Sequence, residues 1–241
     1  GGAAGQVNFT YEDRNTFSSL QFLDVGSSFR AGNGLIGFTG YRGVKVYQAY
    51  GTEWRKGFWR GVGMGAFPTV LWYPDGRLFQ RGGGLEFGMH NRDDWDVGGI
   101  LQYMAFDHQV DFIAGLGFNA NRSNRFHRWG FGVGTGRQGS RAWTTFGPRF
   151  TTRLFGRLDI GYGGSIESLG GVRQQHIVTV GYELSPTRSY GGRLVVEDGR
   201  TNLYLSYRNA GARGTEVFVM VGDPNAPRIR EQLALKLVFA L

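Results

Sequence analysis

Hydrophobic residues recur at every second position along most of this chain. In the stretch REQLALKLVFAL, residues 230–241, the alternate positions from 233 to 241 are wholly apolar, and the set between them is mixed and includes Lys236. A period of two is typical of a β-strand whose faces meet different surroundings. The pattern therefore predicts a final strand over 230–241, with an apolar face and a mixed face.

The same alternation, interrupted by turn residues, predicts about fourteen strands, within a range of about 12 to 16. The early strands are expected at 7–11, 17–28, 43–54, 60–73, 78–91 and 95–107, and the pattern is regular from residue 125 onward. Pro68 is expected to cause a bulge in its strand because proline cannot donate a ladder hydrogen bond. Residues 108–124 are ambiguous, since VDFIAGLGF could be a short strand. No helix longer than a turn or two is predicted.

The segment 28–42 is broken by glycine and does not alternate cleanly. It is predicted to be either an ordinary surface loop or a segment folded inward. Both readings stay open because the pattern gives no direction for its side chains.

The mixed faces favour a membrane barrel over a soluble sandwich. They are rich in Gly and Ser and carry isolated charges, whereas a water-exposed sheet face would be rich in Lys, Glu and Thr. We therefore expect an all-β fold: one antiparallel transmembrane β-barrel, forming a single domain over 1–241. The residues expected to line its lumen are Glu86, Arg149, Asp159, Glu167, Glu183, Arg193, Glu197, Arg208 and Lys236. Glu183 and Arg193 are expected to neutralise each other.

Stripes of alternate glycines run along several strands, for example over 61–65, 130–134 and 161–163. Bare backbone at these positions either widens the interior, lets other groups pack closely, or permits strong curvature of the sheet. The sequence does not decide among these three explanations.

Composition narrows the classes of protein. The 241 residues include no Cys, which excludes disulfides and thiolate chemistry, and no stretch approaches the ~20 apolar residues of a membrane helix. The net charge is +8, but Arg and Lys are spread singly rather than in a basic run. This distribution argues against nucleic-acid binding and favours contact with acidic lipid headgroups, including lipopolysaccharide.

Candidate catalytic and metal-binding residues are sparse. His90, His108, His127 and His176 show no metal-ligand spacing, and Asp107-His108 is the one adjacent pair that hints at a rim active site. Glycine-rich stretches such as GVGMGAF are not followed by a helix that could present its N-terminus to a phosphate. We therefore expect neither an enzyme nor a cofactor.

Four stretches together resemble a family of Gram-negative outer-membrane β-barrels: FLDVGSSFRAGNGLIGFTGYRG, WYPDGRLFQRGGGLEF, TNLYLSYRNAGARGTEVFVMVGDP and LALKLVFAL. In that family the barrel often follows a domain resembling a carbohydrate-binding module. The resemblance implies the fold and a location in the bacterial outer membrane, and it supplies no catalytic residues.

Two functions are compatible with such a barrel. An open, polar lumen would make it a pore for small hydrophilic solutes. A lumen filled by the segment 28–42 would make it a structural anchor, or a subunit of a larger envelope assembly with other envelope proteins as partners.

Overall fold

The structure of the chain is a computed structural model, and it describes residues 2–29, 39–107, 109–211, 215–226 and 228–238. All regular secondary structure in these ranges is β-strand, which confirms the expected all-β class. Among the described residues, no helix has the length and hydropathy that crossing a bilayer requires.

Sixteen strands belong to one antiparallel sheet and follow each other in chain order, except that the short strand β5 pairs with β3 and β6 beside β4. The first ten are β1 Ala4–Glu12, β2 Thr16–Val25, β3 Tyr41–Glu53, β4 Trp59–Ala66, β5 Thr69–Trp72, β6 Leu78–Asn91, β7 Trp95–Phe106, β8 Gln109–Ala120, β9 His127–Gln138 and β10 Arg141–Leu154. The other six are β11 Leu158–Leu169, β12 Val172–Ser185, β13 Arg188–Glu197, β14 Arg200–Ala210, β15 Glu216–Val221 and β16 Leu233–Val238.

The chain divides into two compact units. Unit 1 comprises residues 1–117 and 134–143, and unit 2 comprises residues 118–133 and 144–241. Strands β1 to β7 lie in unit 1, strands β11 to β16 lie in unit 2, and β8 to β10 contribute residues to both.

The sixteen strands exceed the expected fourteen for two reasons. The predicted strand 60–73 is two strands, β4 and β5, which are interrupted at Phe67 and Pro68. The carbonyl of Pro68 still accepts a hydrogen bond from Val46 N–H (2.9 Å), so the chain stays beside β3 through the interruption. The ambiguous stretch after residue 108 forms the full strand β8.

Along the strands of unit 2, one alternate set of side chains is mainly apolar and is exposed or half-buried. The final strand shows this most strongly, with Leu233, Leu235 and Leu237 exposed by 74%, 66% and 52%. The pairing of β15 with β16 places Val221, Val219 and Val217 opposite them. The expected apolar face of the last strand is therefore confirmed over 233–238, whereas 239–241 lie outside the described residues.

Unit 1 has the same organisation. Its register places Phe9, Leu20 and Val46 on one face across β1, β2 and β3, and Met64 opposite Phe87 between β4 and β6. Phe9, Met64 and Phe87 are all exposed. The hydrophobic residues of one sheet face are thus turned outward rather than packed on a second layer.

Few hydrophobic side chains are buried in either unit. Among the described residues they are Val25, Leu71, Phe79, Ala120 and Ala226. A β-sandwich of this length would bury the whole apolar face of each sheet.

One of these buried residues, Phe79, is the centre of a small aromatic cluster in unit 1. Tyr41, Tyr73 and Phe106 pack on Phe79, with ring centroids 5.4, 5.0 and 4.7 Å away. The predicted loop or inward segment 28–42 adjoins this cluster in the chain. Its residues 30–38 lie outside the described residues, and Tyr41 begins β3.

Candidate functional site: the polar faces of the two units

The predicted lumen residues of unit 2 share one face of the sheet. Directly opposed residues of an antiparallel ladder project to the same side, so the register assigns each residue to a face. Along one row, Glu183 faces Ser189, Ser189 faces Arg208, Arg208 faces Phe218 and Phe218 faces Lys236. By the same reasoning, the predicted lumen residues on the polar face of unit 2 are Asp159, Glu167, Glu183, Arg193, Glu197, Arg208 and Lys236.

The remaining two predicted residues lie elsewhere. Arg149 is on β10 and joins the polar face of unit 2 through its contact with Asn119. Glu86 is on β6 and belongs to the polar face of unit 1, where it lies opposite Gly65 and Ile100. Whether these faces line a lumen stays a prediction.

Arg153 connects two predicted residues of unit 2. Its Nε and Nη2 donate to the two oxygens of Asp159 (2.6 and 2.5 Å), and Nη2 also donates to Glu183 Oε1 (2.9 Å). The Arg153 side chain is only 15% exposed, and its guanidinium lies 3.8 Å from the centroid of the Phe126 ring. Arg153 was not among the predicted site residues, although it shares the parity of Arg149 along β10.

The expected ion pair between Glu183 and Arg193 is wrong. The register places Thr179 opposite Arg193 and Ser189 opposite Glu183, so the two charges lie on different rows. Glu183 pairs instead with Arg153. Arg208 forms a separate ion pair with Glu216.

Three basic side chains on the polar face of unit 2 have neutral partners. Arg149 donates from Nε (3.1 Å) and Nη2 (2.5 Å) to the amide oxygen of Asn119. Arg193 donates from Nη1 to the carbonyl oxygen of Pro224 (3.3 Å). The ammonium of Lys236 lies 5.9 Å from the ring centroid of Phe218. These contacts orient the cations without neutralising them.

In unit 1 the polar face is organised around Tyr47 and Glu86. The Tyr47 hydroxyl donates a hydrogen bond to Glu86 Oε1 across the intervening strand β4. A Cβ on Gly65 would lie 2.9 Å from Glu86 Oε1 and 3.1 Å from the Tyr47 hydroxyl. The bare backbone of Gly65 therefore makes room for the pair.

In unit 2 a glycine likewise makes room for a side-chain contact that crosses its strand. Arg149 on β10 reaches Asn119 on β8 past Gly130 on β9, where a Cβ would lie 2.6 Å from Asn119 Oδ1 and 2.4 Å from the carbonyl oxygen of Phe118. Of the three explanations that the sequence left open, close packing of other groups applies at Gly65 and Gly130.

A cavity of about 570 Å³ lies in unit 1 beside the Tyr47–Glu86 pair. Its lining includes Glu12, Arg14, Phe17, Tyr47, Gly51 and Glu86. The rings of Phe17 and Tyr47 lie 5.8 Å apart. The cavity therefore combines aromatic surface, charge and bare backbone.

Two turns outside the strands hold ionised carboxylates. Asp13 Oδ1 accepts hydrogen bonds from the backbone N–H groups of Asn15 (2.8 Å) and Thr16 (2.7 Å), which lower the pKa of the Asp13 carboxyl below its ordinary value of 3.8. Asp75 accepts from the backbone N–H of Arg77 (3.0 Å) and from its Nε (2.7 Å), which lowers the pKa of Asp75.

The described histidines do not converge. His90 lies 4.0 Å from Glu53, His127 lies 3.2 Å from Thr152, and His176 lies 2.9 Å from the hydroxyl of Tyr162. The described residues contain no group of three His, Asp or Glu side chains arranged to hold a metal ion. Asp107 accepts a hydrogen bond from Tyr73 (2.9 Å), whereas its predicted partner His108 lies outside the described residues.

Comparison with known proteins gives structural similarity at low sequence identity. A solved KdgM porin in complex with disordered oligogalacturonate is 13% identical with a TM-score of 0.32, and a solved KdgM porin is 13% identical with a TM-score of 0.30. Each comparison covers 74% of this chain and 91% of the porin chain. No protein-family model and no curated protein matches the sequence. At such TM-scores function has to be argued from the geometry of the polar and apolar faces.

Proposed function

We propose that this chain is a single outer-membrane β-barrel domain that acts as a channel for small hydrophilic solutes, without enzymatic activity. The exposed apolar faces contact lipid, and the polar faces of the two units line the aqueous path. The observation that carries the proposal is the exposure of large hydrophobic side chains at alternate positions of many strands, almost all of them on one face of the sheet.

The transfer free energy of the exposed apolar side chains favours apolar surroundings over water. Moving a Leu or Phe side chain out of water contributes about 1.5–3 kcal/mol. Leu233, Leu235 and Leu237 leave that contribution unrealised within the chain, as do Phe9 and Met64 in unit 1. A bilayer supplies it at every such position, and the strand lengths of the longer hairpins suit the ~9–11 residues that a tilted membrane strand needs.

The polar faces suit an aqueous lining. Charges of both signs in lipid would carry a large desolvation cost, whereas Arg153, Asp159 and Glu183 form a hydrogen-bonded cluster that is still partly exposed. The basic excess of the whole chain suits acidic headgroups of outer-membrane lipid, including lipopolysaccharide.

A structural role with a filled interior is the second candidate. The specific observation that favours it is the aromatic cluster of Tyr41, Tyr73 and Phe106 around Phe79, which occupies space at one end of unit 1. In that case the domain would anchor a larger envelope assembly.

The test has two stages. First, detergent-extracted protein is run on a gel unboiled and boiled, and a faster unboiled band is expected from a closed barrel. Second, the protein is reconstituted into planar bilayers, where discrete conductance steps are expected. A protein that stays in solution without detergent and shows no mobility shift would overturn the membrane proposal. A mobility shift without conductance would favour the anchor.

A further inference from the structure

The charges on the polar face of unit 2 are not balanced evenly. Asp159 and Glu183 are both held by Arg153, and Glu216 is held by Arg208. The other carboxylates of that face, Glu167 and Glu197, lie directly opposite Arg173 and Arg200 in the register. Each carboxylate predicted or observed on this face between β11 and β16 therefore has an arginine beside it.

On the polar face of unit 2, Arg149, Arg193 and Lys236 have neutral partners. Since their partners carry no charge, their positive charge remains available to a solute. The cluster of Arg153, Asp159 and Glu183 keeps one net negative charge, so the named residues of this face carry a surplus of two positive charges.

Arg193 has the most suitable surroundings of the three. It lies near the middle of β13, is half-buried, and uses one of its nitrogens to donate to Pro224, which leaves further N–H donors of the guanidinium for another acceptor. Its direct neighbours on the same face are Thr179 and Tyr204, both of which carry a hydroxyl.

Two glycines lie near Arg193 on the same face, and hydroxyls occupy the space over both: Thr179 Oγ1 lies 2.4 Å from where a Cβ on Gly161 would be, and Ser206 Oγ lies 2.7 Å from the corresponding point on Gly191. Gly161 lies opposite Thr179, and Gly191 is the preceding residue of the same face on β13. The Thr179 hydroxyl is turned toward Gly161 on β11 rather than toward Arg193. Directly opposed Cβ atoms are about 4.5–5.5 Å apart, so the Tyr204 side chain starts within reach of a group bound by Arg193. The planar fork of a guanidinium matches a carboxylate or phosphate, which it can bind through two parallel hydrogen bonds.

We propose that Arg193, with the neighbouring Tyr204, forms a binding position for small oxyanions, and that the channel consequently prefers anions to cations. The anion preference rests on the proposed channel function. The binding position does not, and it can be tested without measuring conductance.

Binding is tested first, on the full chain in detergent micelles, with inorganic phosphate as the probe. The Nε–H resonance of Arg193 is expected to shift saturably with phosphate, whereas that of Arg77, an arginine in an exposed turn, is not. A response of Arg193 that is no larger than that of Arg77 overturns the binding position, whether or not the protein conducts.

Selectivity is tested second, from the reversal potential of bilayers under a KCl gradient. We expect an anion-preferring wild type, and a permeability ratio of anion to cation that falls about fivefold in Arg193→Gln, as loss of a unit charge at about 4 Å in water implies. Arg77→Gln makes the same charge change in a turn and is expected to leave the ratio unchanged. Arg193→Lys is expected to keep the ratio but weaken phosphate binding.

The outcomes separate the two proposals. A conducting channel that prefers cations, or whose reversal potential is unchanged in Arg193→Gln, overturns the anion preference and leaves the channel standing. A protein that binds phosphate at Arg193 but never conducts overturns the channel and leaves the oxyanion position standing.

Discussion

Tyr47 and Glu86 form a hydrogen bond although their strands, β3 and β6, are not neighbours along this part of the sheet. Strand β4 runs between them, and Gly65 is the residue of β4 that the bond passes. The contact joins β3 to β6 through side chains that pass over β4, in addition to the backbone ladder. A glycine in the middle strand is the condition for it.

Replacing Tyr47 by Phe removes this hydrogen bond and leaves the half-buried Glu86 carboxylate without its hydroxyl donor. We expect the free energy of unfolding from lipid vesicles, measured by urea titration, to fall by about 1 kcal/mol. Tyr50→Phe is the matched control, since Tyr50 lies on the opposite face of the same strand and is exposed. Equal losses in the two variants would contradict a specific role for the Tyr47–Glu86 bond.

Gly130→Ala is expected to destabilise unit 2 because its Cβ would collide with backbone, at 2.4 Å from the carbonyl oxygen of Phe118. The strain and the displaced Arg149–Asn119 contact should cost about 1–3 kcal/mol of unfolding free energy. Gly163→Ala is the control, since a Cβ there would meet nothing within 4 Å. If the Gly130→Ala and Gly163→Ala proteins had equal free energies of unfolding, the strands β8 and β9 could move apart at Gly130 without cost, which would contradict the predicted strain.

Arg153→Met keeps the length of the side chain and removes the charge that Asp159 and Glu183 share. The two carboxylates are 34% and 50% exposed, so water offsets part of the loss, and we expect the free energy of unfolding to fall by about 1–2 kcal/mol. Arg77→Met breaks an ion pair that is far more exposed and should change stability much less, because water screens that pair. The reverse order would refute the bridging role of Arg153.

The hydrogen bonds in the turn at Asp13 predict that the stability of the folded protein depends on pH in the acidic range. Backbone N–H groups of Asn15 and Thr16 stabilise the carboxylate, so the pKa of Asp13 is lower in the folded protein than in the unfolded chain. The stabilisation is complete above the ordinary value of 3.8 and is lost as pH falls through the lower, folded-state pKa. Carbon NMR titration of the Asp13 carboxyl in micelles should give a lower midpoint than in urea. Equal midpoints would show that the turn hydrogen bonds do not persist.

Neighbouring residues of β14 test the two faces directly. Leu205 is exposed on the apolar face, whereas Ser206 lies opposite Gly191 on the polar face. If the apolar face meets lipid, Leu205→Arg should lower the free energy of unfolding from vesicles by about 2–4 kcal/mol, and Ser206→Arg should lower it much less. A larger loss of stability for Ser206→Arg than for Leu205→Arg would contradict the assignment of the Leu205 face to lipid.

Much of this architecture could be predicted from periodicity. The alternation of apolar and small or polar residues identified the strands from β11 onward, and it put seven charged residues on one face, as the register shows. Face assignment needs only the parity of a position within its strand, which the sequence contains. Strand β8 was ambiguous because glycine at 115 and 117 weakens its propensity without abolishing its alternation.

Partners could not be predicted in the same way. The expected pairing of Glu183 with Arg193 required the register between β12 and β13, which the turn at 186–187 and an irregularity between Glu183 and Ser185 determine. A shift of two positions leaves every face unchanged but gives each charge a new neighbour. The role of Arg153 could not be predicted for the same reason, since it depends on which residues of the following strands lie beside Arg153.

The order of the strands has a consequence for how such a chain can change. Apart from the insertion of β5, each strand is bonded to the strand before it and the strand after it in the chain. Each hairpin therefore contains both strands of a hydrogen-bonded pair, together with its apolar and its polar surface. Duplication or loss of one hairpin would alter the number of strands while leaving the pairing within every other hairpin intact.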